Sequence, residues 1–173
     1  FAKQIDKAVF PGMQGRPHNQ TTAAIAIALG EAAKSSFRKY SKQIIKNADC
    51  LSKELLKKGI KIISGGTDNH LILVDLTNQN ISGKEAEKAL EEIGIIVNKN
   101  MVPYDKRSPF DPSGIRIGTA AITSRGMKQI EMKIIANLIF QTIQNKDNTT
   151  IKQKIKKDVK KICKKFPLYK NEL

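Results

Sequence analysis

Ser113-Gly114-Ile115-Arg116-Ile117-Gly118-Thr119 alternates Ile115 and Ile117 with other residues, and that period of two predicts a short strand. Glycines at 114 and 118 imply that something closely approaches its backbone. Arg116 is one of only five arginines beside 26 lysines. A planar guanidinium with its fork of donors suits two-point capture of a carboxylate, which a flexible ammonium does poorly. Taken alone, the same arginine would be read as half of a surface ion pair. The residues around it decide between the two.

Upstream, Asn98 to Ser113 holds three prolines and reads as a long polar loop, a kind of segment that often carries function. Before it, Ile95 to Val97 reads as a strand. Ser82-Gly83-Lys84-Glu85 is a capping-box pattern that opens a helix, with Ala86, Ala89, Leu90 and Ile93 as its buried stripe and Gly94 as its stop. Ile60–Ser64 and Leu71–Leu76 read as strands joined by the turn-rich Gly65-Gly66-Thr67-Asp68-Asn69. Further back, Phe37 to Lys58 places Tyr40, Ile44, Ala48, Leu51 and Leu55 at helical spacing before Gly59. Alanine-rich Thr21 to Lys34, with Ile25, Ala28, Leu29 and Ala32 on one face, is a second helix or the first half of one bent helix. Phe10 to Asn19, with two prolines and two glycines, reads as a loop.

Downstream, Thr123 is expected to cap a helix reaching Gln144, with Ile130, Ile134, Leu138 and Ile139 facing inward. A last amphipathic helix over residues 149 to 166 carries Ile151, Ile155, Val159, Ile162 and Phe166 on one side among eight lysines. Helices on one face of a small antiparallel or mixed sheet satisfy this order, an α+β or α/β sandwich.

A length of 173 residues with 40% hydrophobic content suits one ordinary domain with a core. No stretch approaches the roughly 20 apolar residues of a membrane helix, so a soluble, cytoplasmic chain is expected. Cys50 and Cys163 lack metal-ligand spacing and are expected as reduced thiols, with a disulfide left open. Two histidines without clustered cysteines or carboxylates predict no metal site. The net charge of +15 invites a nucleic-acid reading. Against it stand the excess of lysine over arginine, an aromatic content of only 5% and the absence of any nucleic-acid motif. Residues 146 to 173 alone hold ten lysines against Asp147, Asp158 and Glu172, mostly a solvated helix face.

Four further runs stand in order with Ser113–Thr119: Val9-Phe10-Pro11-Gly12-Met13-Gln14-Gly15-Arg16-Pro17-His18-Asn19, Ser64-Gly65-Gly66-Thr67-Asp68-Asn69-His70-Leu71-Ile72-Leu73-Val74-Asp75-Leu76, Val97-Asn98-Lys99-Asn100-Met101-Val102-Pro103 and Ser108-Pro109-Phe110. Together they resemble the C-terminal part of serine hydroxymethyltransferase (glycine hydroxymethyltransferase), a pyridoxal-phosphate transferase of one-carbon and amino-acid metabolism. The likeness covers essentially the whole chain. It implies an α/β architecture, the α+β small domain (residues 33–173) of a fold-type I pyridoxal-phosphate enzyme, preceded by the end of the large cofactor domain (residues 1–32). It also implies a longer parent protein, a homodimer or larger, that interconverts serine and glycine with one-carbon transfer to tetrahydrofolate.

The resemblance assigns roles residue by residue. Arg116 matches the arginine that grips the carboxylate of serine or glycine. Gly15 and Arg16 fall in the loop whose backbone amides reach the cofactor phosphate of the neighbouring subunit, although Arg16 replaces a family glycine. Asn100, Ser108, Pro109 and Phe110 match tetrahydrofolate contacts. His18 is expected nearer the cofactor, and His70 is expected to be structural. The family's Schiff-base lysine lies in a Thr-His-Lys-Thr-like run that is missing here, so no catalytic residue is nominated and the chain by itself is expected to be inactive. The competing expectation is a standalone or split-gene, non-catalytic binding or regulatory partner using its lysine-rich tail on RNA or another acidic surface.

Overall fold

The computed structural model describes residues 1–168, which form two compact units, Phe1–Lys39 and the chain from Tyr40 onward. In the first unit, α1 (Ala2–Lys7) runs into a wide helical turn, Ala8–Met13, in which Phe10 is extended and precedes a cis proline. The expected loop is therefore shorter than Phe10 to Asn19, spanning only residues 14–18. Helix α2 (Asn19–Ala32) follows and buries no residue: Ile25, Ile27 and Leu29 are all more than half exposed. Ala33 and Lys34 separate it from α3 (Ser35–Lys57), so the two are distinct helices, and the unit boundary falls inside α3.

In the second unit, α3 buries Asn47, Ala48, Leu51, Ser52 and Leu55 and ends where Gly59 takes a positive φ of 76°. Four strands follow: β1 (Lys61–Ile62), β2 (Leu71–Asp75), β3 (Asn98–Asn100) and β4 (Gly114–Gly118). Their order is β1-β2-β4-β3 and every pairing is antiparallel. The central strand β4 sets Arg116 opposite Leu73 on one side and Asn98 on the other. Ile72, Val74, Ile115 and Ile117 are buried in the core, while Leu73, Arg116 and Asn98 line the open face.

Helix α4 (Gly83–Ile93) begins with the expected capping box: the Glu85 amide donates to the Ser82 hydroxyl at 3.1 Å, and the Ser82 amide donates to the Glu85 carboxylate at 2.9 Å. Its stripe of Ala86, Ala89, Leu90 and Ile93 is buried as the spacing predicts. A short α5 (Ala120–Ser124) precedes α6 (Gln129–Gln144) and α7 (Thr149–Lys165). The core joins α3, the sheet, α4 and α6 to Ile155 and Val159 of α7. Helices on a small antiparallel sheet are thus the architecture, as the order of elements predicted.

Four further expectations need correction. Ile95–Val97 forms no ladder; Val97 is buried, but the strand that pairs with β4 is Asn98–Asn100, where the backbone comes within reach of residues 114–116. The first predicted strand shrinks to Lys61–Ile62 because Ser64 and Gly65 turn left-handed, with φ of 62° and 69°. Thr123 does not cap the long helix. It lies inside α5, donates to the Thr119 carbonyl at 2.7 Å and accepts from Asn47, and Gly126 at φ 91° separates α5 from α6. On α6, Leu138 and Ile139 face inward, but Ile130 is 72% and Ile134 43% exposed, their expected places being taken by Met132, Ala136 and Ile143.

Candidate functional site

Strand alternation turns Arg116 away from the core and into a cleft of about 710 Å³ on the open face of the sheet. Asn100 and Leu73 border it from the flanking strands, and the loop from Ile63 to Asn69 walls it on another side. That loop is held by its own side chains. The Thr67 hydroxyl donates to the Leu71 carbonyl at 2.6 Å, the Asn69 amide donates to the Thr67 hydroxyl at 3.2 Å, and the Leu71 amide donates to the Asn69 side-chain oxygen at 2.8 Å. Asp68 lines the same space.

The Arg116 guanidinium makes no hydrogen bond and no ion pair among the described residues. The two other arginines of the second unit are both engaged. Arg107 donates to the Asp111 carbonyl at 2.9 Å and pairs with its carboxylate, and Arg125 donates to the Phe166 and Cys163 carbonyls at 2.7 and 3.1 Å, satisfying the last turn of α7. An unpaired guanidinium fork beside the apolar walls of Ile63, Leu71 and Leu73 can hold a small planar anion at two points.

Asn100 donates to the Met101 carbonyl at 2.7 Å, which leaves its side-chain oxygen as an acceptor in the cleft. The following segment, residues 101–113, is organised around Asp105. Its carboxylate accepts from the Val102, Arg107 and Ser113 amides at 3.2, 2.9 and 2.9 Å and from the Ser113 hydroxyl at 2.7 Å. Partial burial works against ionisation, but these four donors outweigh it and hold the Asp105 carboxyl well below the usual carboxylate range. Ser108, Pro109 and Phe110 are exposed on this segment, Phe110 at 83%, and do not line the Arg116 cleft.

Gly15 and Arg16 belong to the first unit. Neither takes a positive φ, so arginine at 16 imposes no left-handed strain. Among the described residues their amides and the Arg16 guanidinium have no hydrogen-bond partner, so a short exposed segment presents three sets of free donors. His70 contributes its carbonyl, which accepts from the Thr119 amide at 3.2 Å, and its side chain is exposed. His18 is exposed just before α2. Cys50 and Cys163 are free thiols, and no group of metal-binding side chains occurs among the described residues. No described helix is long and apolar enough to cross a membrane.

A family model for serine hydroxymethyltransferase matches residues 1–139, most of the chain. The chain belongs to the serine hydroxymethyltransferase family. A serine hydroxymethyltransferase from Desulfotalea psychrophila is similar to it, 54% identical over 167 residues that make up 96% of this chain and 39% of that protein. The chain therefore spans about 39% of the length of that curated relative, as expected of part of a serine hydroxymethyltransferase. The competing reading of a non-catalytic partner is not favoured by this match.

Within the Ser64–Leu76 run, Gly65–Asn69 is expected only as a turn between strands, yet most of it walls the cleft. Asp105 was missed altogether. A lone aspartate two residues after a proline resembles any turn residue until the three amides that converge on it are known.

Proposed function

We propose that the chain supplies the substrate-carboxylate site of a serine hydroxymethyltransferase that interconverts serine and glycine, passing the one-carbon unit to tetrahydrofolate. The observation that carries this reading is the Arg116 guanidinium, unpaired among the described residues in an open cleft shared with Asn100. A two-point grip on the substrate carboxylate fixes the rotation of the amino acid, and with it the bond to be broken. Leu71 and Leu73 limit water on one side of that ion pair and so strengthen it. Asn100 offers an acceptor to a pterin edge, and the exposed Phe110 ring offers a flat apolar surface to the folate, with Ser108 and Pro109 shaping its approach.

Bound pyridoxal phosphate supplies the electron sink on which the amino acid reacts. The free amides of Gly15 and Arg16 and the Arg16 guanidinium fit its phosphate, presented to the neighbouring subunit's site in a homodimer. Residues 1–32 complete the large cofactor domain in this reading, and residues 33–173 form the small domain. The lysine that bonds the cofactor belongs to the part of the parent protein outside this chain, so the chain alone is inactive. Its compartment in this reading is the cytoplasm.

Arg116→Lys in the complete enzyme tests the reading. Losing the fork should raise the KM for serine and lower kcat/KM by about ten- to a hundredfold, the equivalent of one charged two-point contact. Near-normal serine affinity in that variant would overturn the assignment.

A further inference from the structure

Helices α6 and α7 enclose a groove of about 700 Å³ that no part of the proposed reaction uses. Its apolar floor is Ile134 and Leu138 from α6 with Ile151, Ile155 and Ile162 from α7. Ile134 is 43% exposed, and Ile130, one turn earlier on the same stripe, is 72% exposed. Isoleucines left at this degree of exposure on one helix face mark a surface that can bury more.

The rim is basic. Lys154, Lys161 and Lys165 border the groove against one acid, Asp158, and the Lys58 ammonium reaches its edge by donating to Asn137 at 3.0 Å. Lys154 and Lys161 form no ion pair among the described residues. On the same helix Lys152 is already committed to Glu92, so the pairing available within the fold has gone to the face turned towards α4.

We propose that this groove docks an acidic amphipathic helix of a partner protein. From Ile134 to Asn145, the residue that caps α6, this wall is about three turns long, roughly 16 Å, which matches a helix laying an i, i+4, i+7 apolar stripe on the floor. Carboxylates flanking that stripe meet Lys154, Lys161 and Lys165, while the side-chain N–H groups of Asn137 and Gln141 stand along the opposite rim. Nucleic acid fits less well, because among the described residues no lining side chain is aromatic and so none offers a base a surface to stack on. A second copy of the chain fits less well too, since like faces would bring lysines together.

The probe is a labelled 16-residue helical peptide with leucine along one stripe and glutamate on both sides of it. It is titrated by fluorescence anisotropy against the complete protein that carries this chain. Saturable binding that weakens with salt is expected. Ile134→Asp should weaken it about tenfold, and the double variant K154E/K161E should weaken it about tenfold and flatten the salt dependence. Both variants should keep wild-type circular dichroism and serine turnover, because Ile134 is 43% exposed and neither lysine is paired among the described residues. No binding, equal binding by wild type and variants, or equal binding of a lysine-substituted peptide would overturn the proposal. So would displacement of the peptide by polyuridylate at comparable affinity, which would assign the surface to nucleic acid.

Discussion

A Cβ placed on Gly83 would overlap the carbonyl oxygen of Gly114, so the first turn of α4 rests directly on the first residue of the strand that carries Arg116. The Gly83 amide donates to the Pro112 carbonyl at 2.7 Å in the same contact. Gly114 is equally confined: a Cβ there would stand 2.5 Å from the Val74 carbonyl oxygen and 2.7 Å from a Val102 methyl. Backbone cannot move aside as a side-chain tip can. Gly83→Ala and Gly114→Ala should each destabilise the fold by about 3 kcal/mol or more, whereas Gly118→Ala, with only ordinary contact to Leu71 at 3.5 Å, should leave the melting temperature nearly unchanged. Thermal unfolding of the three variants checks this.

Asp105 links the segment bearing the folate candidates to acid stability. Its folded carboxyl is depressed by the donors that overcome its partial burial, so its contribution is complete above the ordinary carboxylate range and is lost as pH falls towards the folded value. Asp105→Asn should cost about 1–2 kcal/mol at neutral pH. The gap between wild type and variant, followed by urea unfolding, should narrow below about pH 4. A gap that stays constant down to pH 2 would contradict the sign.

Asn47 is fully buried and uses its amide to join two elements: it donates to the Thr123 hydroxyl at 2.8 Å and to the Met127 carbonyl at 2.9 Å, and it accepts from Gln43 at 2.8 Å. Asn47→Ala would leave these groups without their partner in a dry site. A loss of about 2–3 kcal/mol is expected from chemical denaturation, and Asn47→Leu should not recover it.

The α6 face gives a paired prediction. Ile139 is 1% exposed in the core and Ile130 is 72% exposed. Ile139→Ala should cost about 2–5 kcal/mol, and Ile130→Ala should change stability by no more than about 0.5 kcal/mol. Equal losses would mean that the burial face of α6 is misassigned.

Much of this molecule could be read before any coordinates, because several signals are local. The Ser82–Glu85 box, the Gly59 and Gly94 stops and the Ala86–Ile93 stripe are each decided within a few residues by caps and helical spacing. Arg116 was legible for a similar reason: alternation between Ile115 and Ile117 turns the residue between them to the other face. What failed was non-local. Ile95–Val97 has the composition of a strand, but a ladder needs a partner, and of this segment only residues 98–100 pair with β4. Ile130 and Ile134 looked inward because α6 is apolar on several sides, and which side is buried depends on where α4, α7 and the sheet stand.

By itself, the order of residues determined the family resemblance, the sequence of helices and short strands, and the outward position of Arg116 on its strand. Those follow from covalent neighbours, side-chain period and functional-group chemistry. Only the tertiary structure decided that the Ser64–Asn69 loop shares a cleft with Arg116 and Asn100, that no described carboxylate claims that guanidinium, and that Gly114 is pressed by Val74 and Val102 while its carbonyl meets Gly83 of α4. These are distances between residues far apart in sequence, and they exist only once the apolar faces have closed on one another.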